Sequence, residues 1–416
     1  MLDVSTKPAR GVEGADLFHA LREELIIKEA RRRHRRRLLS IAVVLTAISS
    51  LALALGFGLQ LSPSTYANSH LSPLPQPPTF VGHSGTTLVY GYESLRIIDS
   101  DTGTSRGLPL PAPIGGSSDL SMVDIGKSFV LNRGNEAWLY RPDFRGSPIN
   151  LGASLRVIPG PTDDEVWIWS DPCATATGCT TDSSGTEQGN VRLVNSSGLQ
   201  IGQPIPLPAP ADGWYPTGQA VTAGLVLDNV YGTTGEEEIW NPISSTVVRV
   251  LPHAQVIAAG GNVAAWNTGR ACLPHCTLHL TNVQTGAIRN IPLPRGFTIT
   301  GDGAMSPNGT ILAIPVGIGG AWPYVHPTEV LLVYLRTGGA RVLSGTEQHV
   351  MPNYGPVAVT WSSNGWLFAT AIGDRHVLIW RPGDAGAMVL SRVRLPGLDL
   401  GIPPEMQQEL PTLIAI

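Results

Sequence analysis

The chain has 416 residues, of which 42% are hydrophobic, 14% charged and 6% aromatic, with 47 Gly and 35 Pro. So many helix breakers exclude a helical bundle, and so much apolar content excludes a disordered chain. The formal net charge of −4 excludes a nucleic-acid-binding character for the whole chain, although residues 1–37 hold 10 Lys and Arg against 6 Asp and Glu and leave 18 against 26 for the rest.

In residues 1–37, Leu17, Phe18, Leu21 and Leu25 fall on one face of a helix that Asp16 can cap. This predicts a short cytoplasmic amphipathic helix that rests on anionic lipid or docks to a partner. Six arginines follow, Arg31, Arg32, Arg33, Arg35, Arg36 and Arg37. Residues 38–61 then read LLSIAVVLTAISSLALALGFGLQL, without charge or proline. As a helix this run spans ~36 Å, enough for a ~30 Å hydrocarbon core. The expectation is one transmembrane helix with the N-terminus inside and the C-terminal part outside, since basic flanks stay cytoplasmic. The competing reading is a cleaved signal peptide, with Thr65 and Ala67 at the −3 and −1 positions. The 37-residue leader and the length of the run count against it. Residues 62–78 carry Pro73, Pro75, Pro77 and Pro78 and predict an extended linker.

From residue 79 to 416 no 3.6-residue period persists, and short β-type runs alternate with polar turns. One phrase recurs seven times: a strand, a polar turn, and a second strand. It occupies 94–111, 136–151, 190–208, 237–252, 277–294, 329–346 and 376–396. Its first turn residues are Asp99, Arg141, Asn195, Asn241, Asn282, Tyr334 and Arg381, spaced 41 to 54 residues apart. That period fits a propeller blade of about four short strands, which buries its faces only against neighbouring blades. The fold expectation is all-β: a seven-bladed β-propeller, with six or eight blades as the adjacent counts. Trp138, Trp240 and Trp380 in the recurrent strand, and Trp167, Trp169 and Trp266 in the strand before it, are expected to pack between blades. The tail Leu413–Ile416 is expected to pair with the first blade and close the ring.

Ser306-Pro307-Asn308-Gly309 and Ser362-Ser363-Asn364-Gly365 each precede an apolar strand, and L-x-V-x-x-x-T-G follows. This order of phrases resembles the WD-repeat-like, TolB-like propellers of bacterial envelope proteins, over about residues 79–396. The resemblance implies a fold and a habit of binding partners, and no reaction. Asn308 and Asn364 stand where that group usually has Asp, so a role resting on the carboxylate does not transfer.

Cys173 and Cys179 lie in one hairpin loop, Cys272 and Cys276 in the corresponding loop of another repeat. Outside the membrane this predicts the disulfides Cys173–Cys179 and Cys272–Cys276. Cys272, His275, Cys276 and His279 could in principle ligate zinc, but their spacing matches no familiar finger. Gly103-Thr104-Ser105-Arg106-Gly107 matches G-x-S-x-G without the helix a nucleophile elbow needs. Asp163-Asp164-Glu165 and Glu236-Glu237-Glu238 read as solvated turns. Asn195-Ser196-Ser197 and Asn308-Gly309-Thr310 are sequons of little weight in a bacterial chain.

No cofactor, metal or catalytic residue is assigned from the sequence. The functional expectation is a membrane-anchored extracytoplasmic binding or scaffold module. Its partners are the lipid bilayer, through one span, and a protein, peptide or cell-envelope polymer, with no role for nucleic acid. The alternatives are a glycan hydrolase or lyase using the propeller channel, and a transmembrane signalling or assembly component.

Overall fold

The computed structural model describes residues 80–91, 94–112, 120–170, 189–208, 214–229, 236–268, 277–295, 297–299, 301–319, 325–343, 358–370, 376–384, 388–395 and 412–416. The chain divides into two units, Met1–Pro73 and Leu74–Ile416, and every described residue belongs to the second. The expected amphipathic helix, the six arginines, the transmembrane run and most of the linker therefore lie outside the described residues. Among the described residues no helix is long and apolar enough to cross a membrane.

The described residues form seven antiparallel sheets. Blade 1 holds β1 (Thr87–Gly91), β2 (Leu95–Asp99) and β3 (Ser105–Leu108). Blade 2 holds β4 (Leu120–Ile125), β5 (Ser128–Arg133), β6 (Glu136–Tyr140) and β7 (Ile149–Ala153). Blade 3 holds β8 (Arg156–Pro159), β9 (Glu165–Ser170), β10 (Asn190–Asn195) and β11 (Gln200–Pro206). Blade 4 holds β12 (Trp214–Val221), β13 (Gly224–Asn229), β14 (Glu237–Asn241) and β15 (Thr246–Leu251). Blade 5 holds β16 (Gln255–Gly260), β17 (Val263–Asn267), β18 (Thr277–Asn282) and β19 (Ile288–Pro292). In blade 6 the innermost strand is split into β20 (Phe297–Ile299) and β21 (Ala304–Met305), both paired with β22 (Ile311–Gly319), then β23 (Val325–Tyr334) and β24 (Ala340–Leu343). Blade 7 holds β25 (Ala358–Trp361), β26 (Leu367–Thr370), β27 (His376–Trp380) and β28 (Val389–Arg394). The last strand, β29 (Thr412–Ala415), returns to blade 1.

That return closes the ring. Strand β29 pairs antiparallel with β1, Val89 opposite Ile414, and so supplies the innermost strand that blade 1 lacks. The Ile416 amide donates to the Thr87 carbonyl at 2.8 Å, and the Thr87 amide donates back at 3.2 Å. The innermost strands then neighbour one another in the cyclic order β29, β4, β8, β12, β16, β21, β25 and back to β29. Seven blades form one circle around a channel, as the repeats and the Leu413–Ile416 tail predict.

The core consists of seven apolar clusters, one between each pair of neighbouring blades. Side chains alternate across a strand, so one strand serves two interfaces. On β5, Phe129 and Leu131 face blade 1 while Val130 faces blade 3. Phe129 is fully buried and stacks on Tyr140 with ring centroids 4.5 Å apart. The second strand of each blade is buried on both faces and therefore reads as a continuous apolar run, LVY, FVL or LFA, rather than as the half-polar alternation expected of a solvated sheet. Trp167, Trp240, Trp266 and Trp380 are buried in these clusters, and Trp138 and Trp169 pack against them, so the six tryptophans do the inter-blade packing expected of them.

The recurrent phrase is the outer hairpin of each blade. In blades 1, 3, 4 and 5 its turn is capped by the residue that ends the third strand. The Asp99 side chain accepts from the Asp101 and Thr102 amides, Asn195 from those of Ser197 and Leu199, Asn241 from Ser244, and Asn282 from Thr285. The Ser-x-Asn-Gly turns are built the same way. Ser306 Oγ donates to Asn308 Oδ1 at 2.8 Å, and Ser362 Oγ to Asn364 Oδ1 at 2.6 Å. Asn therefore serves this turn as an amide acceptor, without the carboxylate.

An arginine staple joins blades at the outer rim. Arg106, Arg249, Arg289 and Arg341 occupy one register position on the outermost strand, opposite Ile97, Ile239, Leu280 and Leu332. Arg106 donates to the Asp143 and Phe144 carbonyls of blade 2, Arg249 to Val283 O of blade 5, and Arg289 to the Leu335 and Arg336 carbonyls of blade 6. Each reaches the outer turn of the next blade. At Gly286 and Gly338 the receiving turn has φ of +75° and +76°, and an added Cβ would meet the incoming guanidinium within 3.0 Å. The Thr-Gly of the repeat is thus a left-handed turn kept bare for the neighbour's arginine.

Candidate functional site

Some of the residues singled out in the sequence lie outside the described residues, and the others are engaged within the blades or their turns. Cys173, Cys179, Cys272, Cys276 and His275 lie outside the described residues, and with them both expected disulfides. His279 stacks on Trp266 with centroids 4.2 Å apart and pairs its Nδ1 with Asn290 Oδ1 at 2.8 Å, so its ring is engaged within blade 5. Ser105 opens the exposed edge strand β3 directly after a turn, with no helix following, as the elbow argument requires. Asn195 and Asn308, the two sequon residues, spend their side-chain oxygens on turn caps.

The acidic triplets behave differently from each other. Asp163 and Asp164 are exposed in the turn before β9, with Thr162 Oγ1 2.7 Å from Asp164 Oδ1, as a solvated turn should be. The expectation fails for Glu236-Glu237-Glu238. Glu237 and Glu238 are each only 5% exposed, because they begin β14, the third strand of blade 4, and pack against neighbours on both sides. Three consecutive acids look like a surface; in a propeller the third strand has no solvated face.

Glu237 belongs to a polar girdle that ties neighbouring blades together. Its Oε2 accepts from the Val256 amide of β16 at 2.8 Å, which ties blade 4 to blade 5. Asp228 of β13 lies directly opposite it in register. The Ile257 carbonyl of blade 5 accepts from Gln219 Nε2 of blade 4 at 3.0 Å and from the Gly303 amide of blade 6 at 2.9 Å. Arg156 of blade 3 donates to the Thr217 carbonyl of blade 4 at 2.6 Å. Burial, then the negative charges of Asp228 and Asp302, push the Glu237 carboxyl up to about 8 against the lowering effect of the Val256 amide. Burial also raises the Asp302 carboxyl, and Arg156 offsets part of this. On β4 the surrounding protein raises the Asp124 carboxyl too, although that side chain still reaches solvent. A general acid must touch its substrate; Glu237 is buried and spends its Oε2 on a backbone amide. The girdle is therefore a bond between blades.

The second feature is at the rim of blades 3 and 4, where the staple is interrupted. At the arginine position blade 3 carries Ile201, opposite Leu193. The receiving turn of blade 4 carries Ser245 at φ +54° where blades 5 and 6 carry glycine. Arginine and glycine are lost together. In their place stand Leu199 at 67% exposure and Ile243 at 75%, with Ile201, Val247 and Val250 also exposed. Neither 195–208 nor 239–248 contains a charged side chain. Blade 2 has isoleucine at the same position too, but Ile149 packs against the core between blades 2 and 3. Sequence reasoning missed both features. The signal for the rim was present as two charge-free stretches, 195–208 and 239–248, but its meaning depends on strand register.

No protein-family model matches the sequence, and no curated protein matches it. Solved structures with distant likeness include hydrazine synthase of Kuenenia stuttgartiensis, at 11% identity over 67% of this chain and 80% of that one, with a TM-score of 0.45. The Dos1 propeller is 11% identical over 77% of this chain and 88% of that one, with a TM-score of 0.43. Apo AztD from Citrobacter koseri is 11% identical over 80% of this chain and 98% of that one, with a TM-score of 0.38. At these values the seven-bladed propeller rests on the chain's own sheet topology.

Proposed function

We propose that this protein is a binding module: a propeller anchored to the cell membrane, carried on its outer side, that holds a protein partner against the rim of blades 3 and 4. The observation that carries the reading is the exposed apolar rim of Leu199, Ile201, Ile243, Val247 and Val250, the first four of which stand on stretches, 195–208 and 239–248, that carry no charge. Exposed apolar patches of this kind mark contact surfaces on otherwise polar molecules. The chemistry favours a protein over a wall polymer, since a polyhydroxylated chain would call for polar donors and aromatic platforms. The location is supported by the 24 uncharged residues at 38–61, by Arg31–Arg37 before them, and by the Pro-rich stretch after them. The envelope setting is also what the resemblance of the Ser-x-Asn-Gly and Thr-Gly phrases implies.

The test is photocrosslinking in intact cells from a reactive residue placed at position 243, with and without Ile201→Asp. The expected result is a discrete crosslinked protein that Ile201→Asp removes while the propeller stays folded. A product insensitive to Ile201→Asp, or turnover of a glycan by the purified protein, would overturn the reading.

A further inference from the structure

A buried acid is costly when ionised unless a cation or several hydrogen bonds receive its charge. Glu237 has one hydrogen bond from the Val256 amide, and no cation among the described residues contacts it. The charged groups that face it are both acidic: Asp228, from β13 in its own blade, and Asp302, from the bulge between β20 and β21 in blade 6. The opposite residue on β15 is Leu251, and β16 offers the Val256 amide, so neither strand brings a balancing charge. Arg156 acts on Asp302, and its Nη1 is bonded to the Thr217 carbonyl.

We propose that Glu237 is a proton-operated latch at the seam of blades 4 and 5: neutral, it holds the innermost strand of blade 5 to blade 4; ionised, it leaves for solvent and releases that strand. The bond it makes lies next to Ile257, whose carbonyl joins blades 4 and 6, so releasing Val256 loosens three blades at one point. The sign follows from the direction of the shift. Burial and two facing carboxylates raise the folded-state value of Glu237 to about 8, from an ordinary 4.5. Its stabilising contribution is complete below the ordinary value and is lost as pH rises through about 8. A mildly alkaline exterior would thus loosen the seam of blades 4 and 5 without unfolding the ring.

The test is amide hydrogen exchange of the full-length protein in mild detergent, between about pH 6 and about pH 9, corrected for intrinsic rates. Peptides spanning 255–260 are expected to lose protection by up to about tenfold per pH unit as pH rises toward about 8 and to level off above it, while β1 and β2 of blade 1 do not. In Glu237→Gln, which keeps the acceptor and removes the charge, protection of 255–260 is expected to stay flat. In Asp302→Asn, which removes a facing charge, the transition is expected at lower pH. Equal pH dependence in wild type and Glu237→Gln would overturn the proposal, as would loss of protection in all blades together. Should Glu237→Gln fail to fold, an unmoved transition in Asp302→Asn would overturn it alone.

Discussion

Single carboxylates in this ring take opposite tasks according to what surrounds them. Burial alone would raise Asp101, but the Ser84 and Gly85 amides, the Ser84 hydroxyl and His83 hold it below its ordinary 3.8. It clamps the entry segment 82–86 onto the outer turn of blade 1, and Asn364 of blade 7 donates to Ser84 O at 2.6 Å from the other side. Because the folded value is depressed, the clamp's contribution is present above the ordinary value and lost as pH falls through the lowered one. Asp101→Asn is expected to cost about 1–3 kcal/mol at neutral pH, with the gap to wild type closing below about pH 4, read by thermal unfolding across pH. At Phe129, fully buried between blades 1 and 2, truncation to alanine is expected to cost about 3–5 kcal/mol by the same measurement. The burial of Phe129 was legible in its apolar run. The roles of Asp101 and Glu237 were not, since both depend on which strand lies opposite.

Register decides the elements. The Thr-Gly of the repeat was visible in the sequence, but the arginine it receives comes from the preceding blade, some forty residues earlier in the chain, and no local pattern links the two. Gly338→Ala is expected to cost about 1–2 kcal/mol for the left-handed backbone alone, and more because its Cβ would meet Arg289 at 2.3 Å. Ser245→Gly is expected to be neutral or stabilising by up to about 1 kcal/mol, since no arginine arrives there and a left-handed serine is relieved. Denaturant titration of the two variants checks the opposed signs. The second and fourth repeats depart from the others at this turn. Blade 2 turns through Arg141-Pro142-Asp143-Phe144 with Phe144 at φ +48°, and blade 4 turns through Ser245 at φ +54°, so neither places at the left-handed position the glycine that the other five turns carry as Gly103, Gly198, Gly286, Gly338 and Gly383.

At the scale of the whole molecule the ring depends on its last strand. Deleting 412–416 removes the innermost strand of blade 1 and uncovers apolar clusters on both of its sides. The truncated chain is expected to lose its single cooperative thermal transition and to bind a hydrophobic dye. The closure was readable because PTLIAI is a strand without a partner in its own repeat and the first repeat is short by one strand. The split innermost strand of blade 6 was not readable, since β21 has only two residues. The claim on which the functional account depends is that the rim of blades 3 and 4 lies outside the cell and is covered by a partner. The most direct measurement replaces Ile243 with cysteine and labels intact cells with a membrane-impermeant maleimide, with and without Ile201→Asp. The expected result is labelling above the background of the native cysteines without lysis, stronger when Ile201→Asp removes the partner. Labelling only after lysis, or equal labelling in both backgrounds, would contradict the account.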